Sequence, residues 1–186
     1  MRADAQENKR LILEAAIRLF AAKGEDVSLR AIAKEAGVGI ATLLRHFPTI
    51  EDLYDGVRAL CSERMVALCA SYDREWEDPG QEFRNFVFSI RELQLGAIMT
   101  PLWAYFDQNF ESVTELEQDP IFRKTYLAQK DLLARAADYG VIRKNISPTQ
   151  FFVGITVITR PLPDVVEARI PGLGDSILDT FIRGLR

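Results

Sequence analysis

The stretch from Val27 to Tyr54, VSLRAIAKEAGVGIATLLRHFPTIEDLY, constrains the fold more than any other part of the chain. Ser28 stands where a helix N-cap belongs, and Ile32, Ala33 and Ala36 form one apolar stripe behind it. Gly37 follows at the C′ position, where the backbone turns through positive φ and glycine does so at least cost. Val38 fits the angle between two helices, and a second helix runs from about Gly39 to Phe47 with Leu43 and Phe47 inward at i, i+4. Pro48 cannot continue that helix, and Thr49 with Asp52 three residues on makes a capping box that starts the next. Two short helices joined at a glycine turn and stopped by a proline make a helix-turn-helix.

The rest of the chain reads as helix on both sides of this unit. Asp4 and Glu7 suit a capping pair for a helix from Ala5 to Lys23, with Ile12, Ala16, Leu19 and Phe20 inward and Gly24 closing it. From Ile50 the apolar pattern passes through Leu53, Val57, Leu60, Arg64 and Leu68 to about Trp76, roughly 25 residues or about 38 Å of helix. Such a helix leaves a small N-terminal module and enters a larger one, which makes it a candidate lever or a plain scaffold. Asp78-Pro79-Gly80 interrupts the pattern, and helices are expected over Gln81 to Leu95 and Pro101 to Phe110. Asp119 and Pro120 are an N-cap and N1 pair for a helix to about Tyr139, closed by Gly140, and Ser147 with Pro148 repeats the device for a helix to about Thr159. The β-branched run Val153 to Thr159 would suit a strand, but a proline helix start precedes it and no partner strand is evident. After Arg160-Pro161-Leu162-Pro163, a last helix begins at Gly174 or Asp175. The sum is an all-α chain of eight or nine helices.

LRAIAKEA followed by GVGIATLLRHFPTIEDLY resembles the DNA-binding signature of the TetR/AcrR family of bacterial transcriptional regulators, matched at Ile32, Ala33, Ala36, Gly37, Val38, Thr42, Leu43, His46, Phe47, Glu51 and Leu53. The resemblance implies an N-terminal three-helix DNA-binding domain in residues 1–50 and a larger helical effector-binding and dimerisation domain in 51–186. It implies a regulator, most commonly a repressor, that reads a pseudo-palindromic double-stranded operator as a homodimer with recognition helices roughly 34 to 36 Å apart, or further where the DNA is overwound or dimers pair. Carried over by position, base-edge contacts fall on Arg30, Ile40, Ala41 and Arg45, and phosphate contacts on Thr42, His46 and either the Thr49 hydroxyl or the amides at the start of the next helix. Dimer contacts fall on the helices Thr149 to Thr159 and Asp175 to Arg186, both unusually apolar for terminal elements. An effector pocket would use Phe83, Phe86, Ile90, Met99, Trp103, Phe106, Phe110, Phe122 and Tyr126, although any one such residue at helical spacing is more often ordinary core. As a set they fit a hydrophobic or aromatic small molecule.

Composition decides what remains. Residues 1–70 hold ten Lys/Arg and ten Asp/Glu, so the net charge of −4 lies wholly in the C-terminal part and any field at the DNA-facing end is local. Cys61 and Cys69, eight apart on one helix, suit free thiols rather than a disulfide or a metal site, and no cofactor is expected. No membrane-length apolar run or leader is evident, which points to a cytoplasmic protein. The single histidine lies in the helix-turn-helix, so no catalytic constellation can be assembled and an enzyme is not expected. The remaining rival is a helical ligand-binding or interaction protein of the same fold with weakened operator binding. Two departures from the family pattern favour it: Leu44 stands where tyrosine is usual and Ile50 where lysine is usual, and both usual residues donate to phosphates. Installing Leu44→Tyr and Ile50→Lys together is expected to tighten operator binding, and the restored lysine to steepen its logarithmic salt dependence by about 0.9; a salt titration in which affinity and slope stay put rejects the idea.

Overall fold

The computed structural model describes residues 2–24 and 27–186, and among them every regular element is a helix. These are α1 (Arg2–Lys23), α2 (Leu29–Glu35), α3 (Ile40–His46), α4 (Ile50–Ser71), α5 (Pro79–Glu92), α6 (Leu95–Asn109), α7 (Val113–Gln118), α8 (Pro120–Asp138), α9 (Pro148–Ile158), α10 (Asp164–Arg169) and α11 (Leu173–Gly184). Two compact units result, one of Met1–Cys61 with Ala97–Glu111, the other of Ser62–Gly96 with Ser112–Arg186. The division falls within α4 and near the start of α6.

In the first unit the local signals act as expected. Ser28 Oγ accepts from Ala31 N at 3.2 Å, and Gly37 takes φ 70° while Val38 N donates to Ala33 O at 3.0 Å to close α2. Thr49 N donates to Asp52 Oδ2 at 3.0 Å and Asp52 N to Thr49 Oγ1 at 3.1 Å, a reciprocal capping box at the head of α4. Ile12, Phe20, Ile32, Leu43 and Leu53 are fully buried, and α1 packs on both α2 and α3. Gly56 is where α4 meets the core: a Cβ there would lie 2.7 Å from Phe47 Cε1 and 2.8 Å from Leu13 Cδ2.

The expected start of α1 is corrected. The helix already runs from Arg2, so Asp4 lies inside its first turn, and Glu7 accepts from Arg10 Nη2 at 2.7 Å rather than capping. The buried face of α4 is corrected too. It consists of Leu53, Val57, Arg58, Ser62, Met65 and Cys69, with Leu60 and Leu68 half-buried, and the helix stops at Ser71. Trp76 lies beyond it, stacked on Tyr139 with its indole N–H donated to Tyr72 O at 3.0 Å.

In the second unit, Asp78-Pro79-Gly80 is a start rather than a gap: Asp78 accepts from Gln81 N at 3.0 Å and Pro79 opens α5. α6, which from Ala97 onward belongs to the first unit, begins six residues before the expected Pro101 and runs through it; the lost N–H removes one ladder bond, and buried Leu95, Ile98, Met99 and Leu102 hold the helix together. α8 and α9 start as expected, at Asp119-Pro120 and Ser147-Pro148. The Val153 to Thr159 run is helical, with Thr156 Oγ1 donating to Val153 O at 2.9 Å and Thr159 Oγ1 to Ile155 O at 2.6 Å. Two six-residue helices, α7 and α10, bring the number among the described residues to eleven against the eight or nine expected. Within this unit α5 packs on α11, held by the ion pairs Arg84–Asp179 and Arg91–Asp175, while Phe83, Phe86, Phe151 and Phe181 form one ring cluster.

Gly56→Ala is expected to cost about 1–3 kcal/mol, the usual penalty for overfilling a packed interior. Gly80→Ala, where a Cβ meets nothing nearer than Asp78 Oδ1 at 3.5 Å, should be neutral or stabilising. Urea unfolding of both variants checks the contrast.

Candidate nucleic-acid interface

α3 has only seven residues, and it divides cleanly. Leu43 is fully buried and the C-capping Phe47 is 3 % exposed, so these two hold the helix to the rest of the unit. Ile40, Ala41, Leu44 and Arg45 are exposed, and Arg30, in the first turn of α2, is exposed as well. Thr42 is half-buried. The exposed group therefore joins two forked cations to a small apolar surface, the chemistry that reads guanine edges and thymine methyls in a major groove.

Two of the residues expected to meet phosphates have more complex settings. The Thr49 hydroxyl donates to Asp52 Oδ2 at 2.8 Å and accepts from Asp52 N, so its hydrogen bonds are already committed to the cap. His46 is half-buried, and its Nε2 is shielded from solvent with no hydrogen-bond partner among the described residues. Leu44 is 41 % exposed, a large apolar side chain on the outward face. Ile50, the first residue of α4, is half-buried.

A family model described as bacterial regulatory proteins, tetR family, matches residues 12–57, which run from α1 through the turn into α4. An HTH-type transcriptional regulator of Staphylococcus aureus (strain USA300) is 50% identical over 54 residues, covering 28% of this chain and 29% of that protein. A TetR transcriptional regulator of Streptomyces coelicolor is similar over nearly the whole fold, with 26% identity, 96% of this chain and 98% of that one covered, and a TM-score of 0.63. Residues 12–57 thus carry the tetR-family helix-turn-helix, and the chain as a whole has the fold of TetR regulators. The TetR-like regulator LfrR of Mycobacterium smegmatis, solved with proflavine, shares the fold at 20% identity and a TM-score of 0.68, covering 96% of this chain and 95% of that one. The chain spans less than a third of the length of the curated Staphylococcus relative it matches. The proteins that share this helix-turn-helix and fold are transcriptional regulators. Among the described residues no helix is long and apolar enough to cross a membrane.

The nine aromatic and apolar residues read as pocket candidates for a TetR-family effector divide between the two units. Met99, Trp103, Phe106 and Phe110 lie on or just after α6 in the first, while Phe83, Phe86 and Ile90 of α5 and Phe122 and Tyr126 of α8 lie in the second. Phe83, Phe86, Ile90, Met99 and Phe122 are buried, and the other four are half-buried. Phe122 packs edge-on against Phe152, and Tyr126 lies beneath the Arg123 guanidinium.

Phe106 and Phe110 have a partner that sequence reasoning passed over. Arg58, 6 % exposed, places its guanidinium carbon 5.3 Å from the ring centres of Tyr105, Phe106 and Phe110. Its Nη1 donates to Asp55 Oδ1 at 2.6 Å, and the Tyr105 hydroxyl donates to the same oxygen at 2.8 Å. The signal was available in the spacing, since Arg58 follows directly on the inward Val57, but an apolar pattern search ignores a charged residue there. Burial, and secondarily the Asp55 carboxylate, raises the Tyr105 phenol above its ordinary value of 10.0. The sign follows: the stability this phenol contributes is complete below pH 10 and is lost as pH rises through the higher folded value. Thermal unfolding between pH 9 and about pH 11 should show a steeper alkaline decline in the native chain than in Tyr105→Phe; equal slopes would remove Tyr105 as the cause.

Proposed function

We propose that this chain is a ligand-responsive TetR-family repressor that binds a pseudo-palindromic operator as a homodimer. The observation that carries the reading is the partition of α3: the residues that fold it face inward, and Ile40, Ala41 and Arg45 stand exposed beside Arg30. Residues 1–50 form the DNA-reading domain and 51–186 the effector and dimerisation domain. Arg30 and Arg45 each fork onto a guanine, and Ile40 and Ala41 touch thymine methyls. Thr42, His46, Thr49 and the first amides of α4 meet the backbone, with the α4 amides favoured there by the helix dipole. Because the Thr49 hydroxyl is engaged in its cap and the His46 Nε2 is turned inward, the α4 amides and Thr42 carry more of this task than the side-chain pattern suggests.

Dimerisation through α9 and α11 is supported by apolar side chains that their own unit leaves uncovered. Val157 is 51 % exposed, and Phe152, Val153, Ile177 and Phe181 are half-buried. A dimer is also what an operator requires, because one seven-residue recognition helix spans only a few base pairs. Ligand control by a hydrophobic or aromatic molecule is supported by the buried rings of α5 and α8 and by the proflavine bound to LfrR, a protein of the same fold. The exposed Leu44 favours a second reading, a TetR-fold ligand-binding or interaction protein in which operator contact has weakened.

Footprinting of the DNA upstream of the chain's own gene separates the two readings. A protected pseudo-palindrome is expected, with Arg30→Ala or Arg45→Ala each costing about 1–3 kcal/mol and relaxing the choice of base at one position per half-site. If no duplex is bound specifically at low salt, the repressor reading falls.

A further inference from the structure

The buried polar residues of the second unit are Ser62, Thr125, Gln129, Thr149, Thr156 and Thr159, and all but one have a partner. Ser62 Oγ donates to Ile121 O at 3.0 Å and Thr125 Oγ1 donates to Ser62 Oγ at 2.9 Å. Thr149 donates to Glu117, and Thr156 and Thr159 return their hydroxyls to the carbonyls of their own helix. Gln129 is the exception. It is 1 % exposed, and neither its Nε2 nor its Oε1 has a hydrogen-bond partner among the described residues.

Its position makes this unlike a surface amide caught in a poor rotamer. Gln129 is the tenth of the nineteen residues of α8, at the middle of the buried face formed with Phe122, Thr125, Leu132, Leu133 and Ala136. Thr125 lies one turn before it on the same face. An apolar side chain of equal length would fill the position without leaving two polar atoms dry, each at the cost of its lost hydration. A buried amide retained at that cost calls for a partner.

We propose that Gln129 is the polar anchor of the effector site in the second unit, and that the effector is an uncharged, largely apolar molecule presenting a hydrogen-bond donor and acceptor side by side, as a lactam, imide or primary carboxamide does. This deepens, and rests on, the reading of the chain as a ligand-responsive regulator. The chemistry follows from the residue. Oε1 accepts and Nε2 donates, so a group with only one function leaves the other atom unpaired. Neutrality follows from the face on which Gln129 stands: it is 1 % exposed, and the other buried residues of α8, Phe122, Thr125, Leu132, Leu133 and Ala136, carry no charge, so an ionised ligand group there would be desolvated without compensation from this helix.

The test uses the full chain with 2-quinolinone, 1-isoquinolinone and phthalimide, each paired with its N-methyl derivative, which keeps the shape and the acceptor but lacks the donor. Calorimetry and release of a labelled operator fragment are followed together. At least one lactam or imide is expected to bind about tenfold or more tightly than its N-methyl partner. Gln129→Met should fold with an unchanged or higher Tm, keep its operator affinity, and erase the difference within each pair. Gln129→Asn, which retains the amide but withdraws it by one methylene, should reduce the preference. The assignment is overturned if every pair binds alike or not at all, or if Gln129→Met keeps the preference. If apolar probes still release the operator, the regulator reading survives that outcome; if the native chain binds no operator, that reading falls separately, whatever the calorimetry shows.

Discussion

The ring of Phe47 lies on bare backbone at Gly56, and much of the first unit depends on that contact. Phe47 is the C-cap of α3 and Gly56 lies two turns into α4, so the contact sets how closely the end of one helix approaches the body of the next. Leu13 of α1 shares the same notch, which brings three helices to one point with no room for a methyl group. On the Phe47 ring, the Lys9 ammonium lies 5.9 Å from the centroid. Pro48 and the Thr49–Asp52 capping box then end one helix and start the next, so α3 is fixed at its C-terminal end by packing and by hydrogen bonds together. At its N-terminal end the Gly37 turn does the same work with backbone geometry alone.

Buried polarity is distributed along α4 in an ordered way. In the first unit, Arg58 sits among three aromatic rings and shares Asp55 with Tyr105. A guanidinium tolerates such burial because it is weakly hydrated, stacks on ring faces and keeps a carboxylate at hydrogen-bond distance. Removing one member of such a group is worse than never having had it, since the remaining charge or hydroxyl stays buried without compensation. One turn on, in the second unit, Ser62 links to Thr125 and to the Ile121 carbonyl. These bonds fix the rotation of α4 about its axis in a way that Leu53, Val57 and Met65 alone could not, because apolar contacts slide and hydrogen bonds do not.

Legibility in the sequence followed the range of the forces. Caps, proline starts and glycine stops act over three or four residues, and Ser28, Gly37, Thr49, Asp119 and Ser147 all stand where local chemistry puts them. α7 and α10 were missed because six residues carry too little periodicity to register, although α7 has a serviceable N-cap in Ser112. Pro101 misled because its local cost is real but smaller than the burial of the apolar residues around it. The outward residues of α3 were legible from helical spacing and from the family pattern. The Asp55–Arg58–Tyr105 group and the Gln129 amide were not, since each is defined by what surrounds it in space, and a search for apolar stripes discards the polar residues lying within them.

The partition of α3 bears on how a lineage of such proteins diverges. Within seven residues, the side chains that secure the helix and those that face outward share no position. Substitutions at Ile40, Ala41, Leu44 and Arg45 remove little buried surface and are nearly neutral for folding. Descendants can therefore drift through many outward surfaces while natural selection on stability sees almost no change. Leu44 is a residue of that kind: unusual on the outside of the helix, and invisible to the core that holds it there.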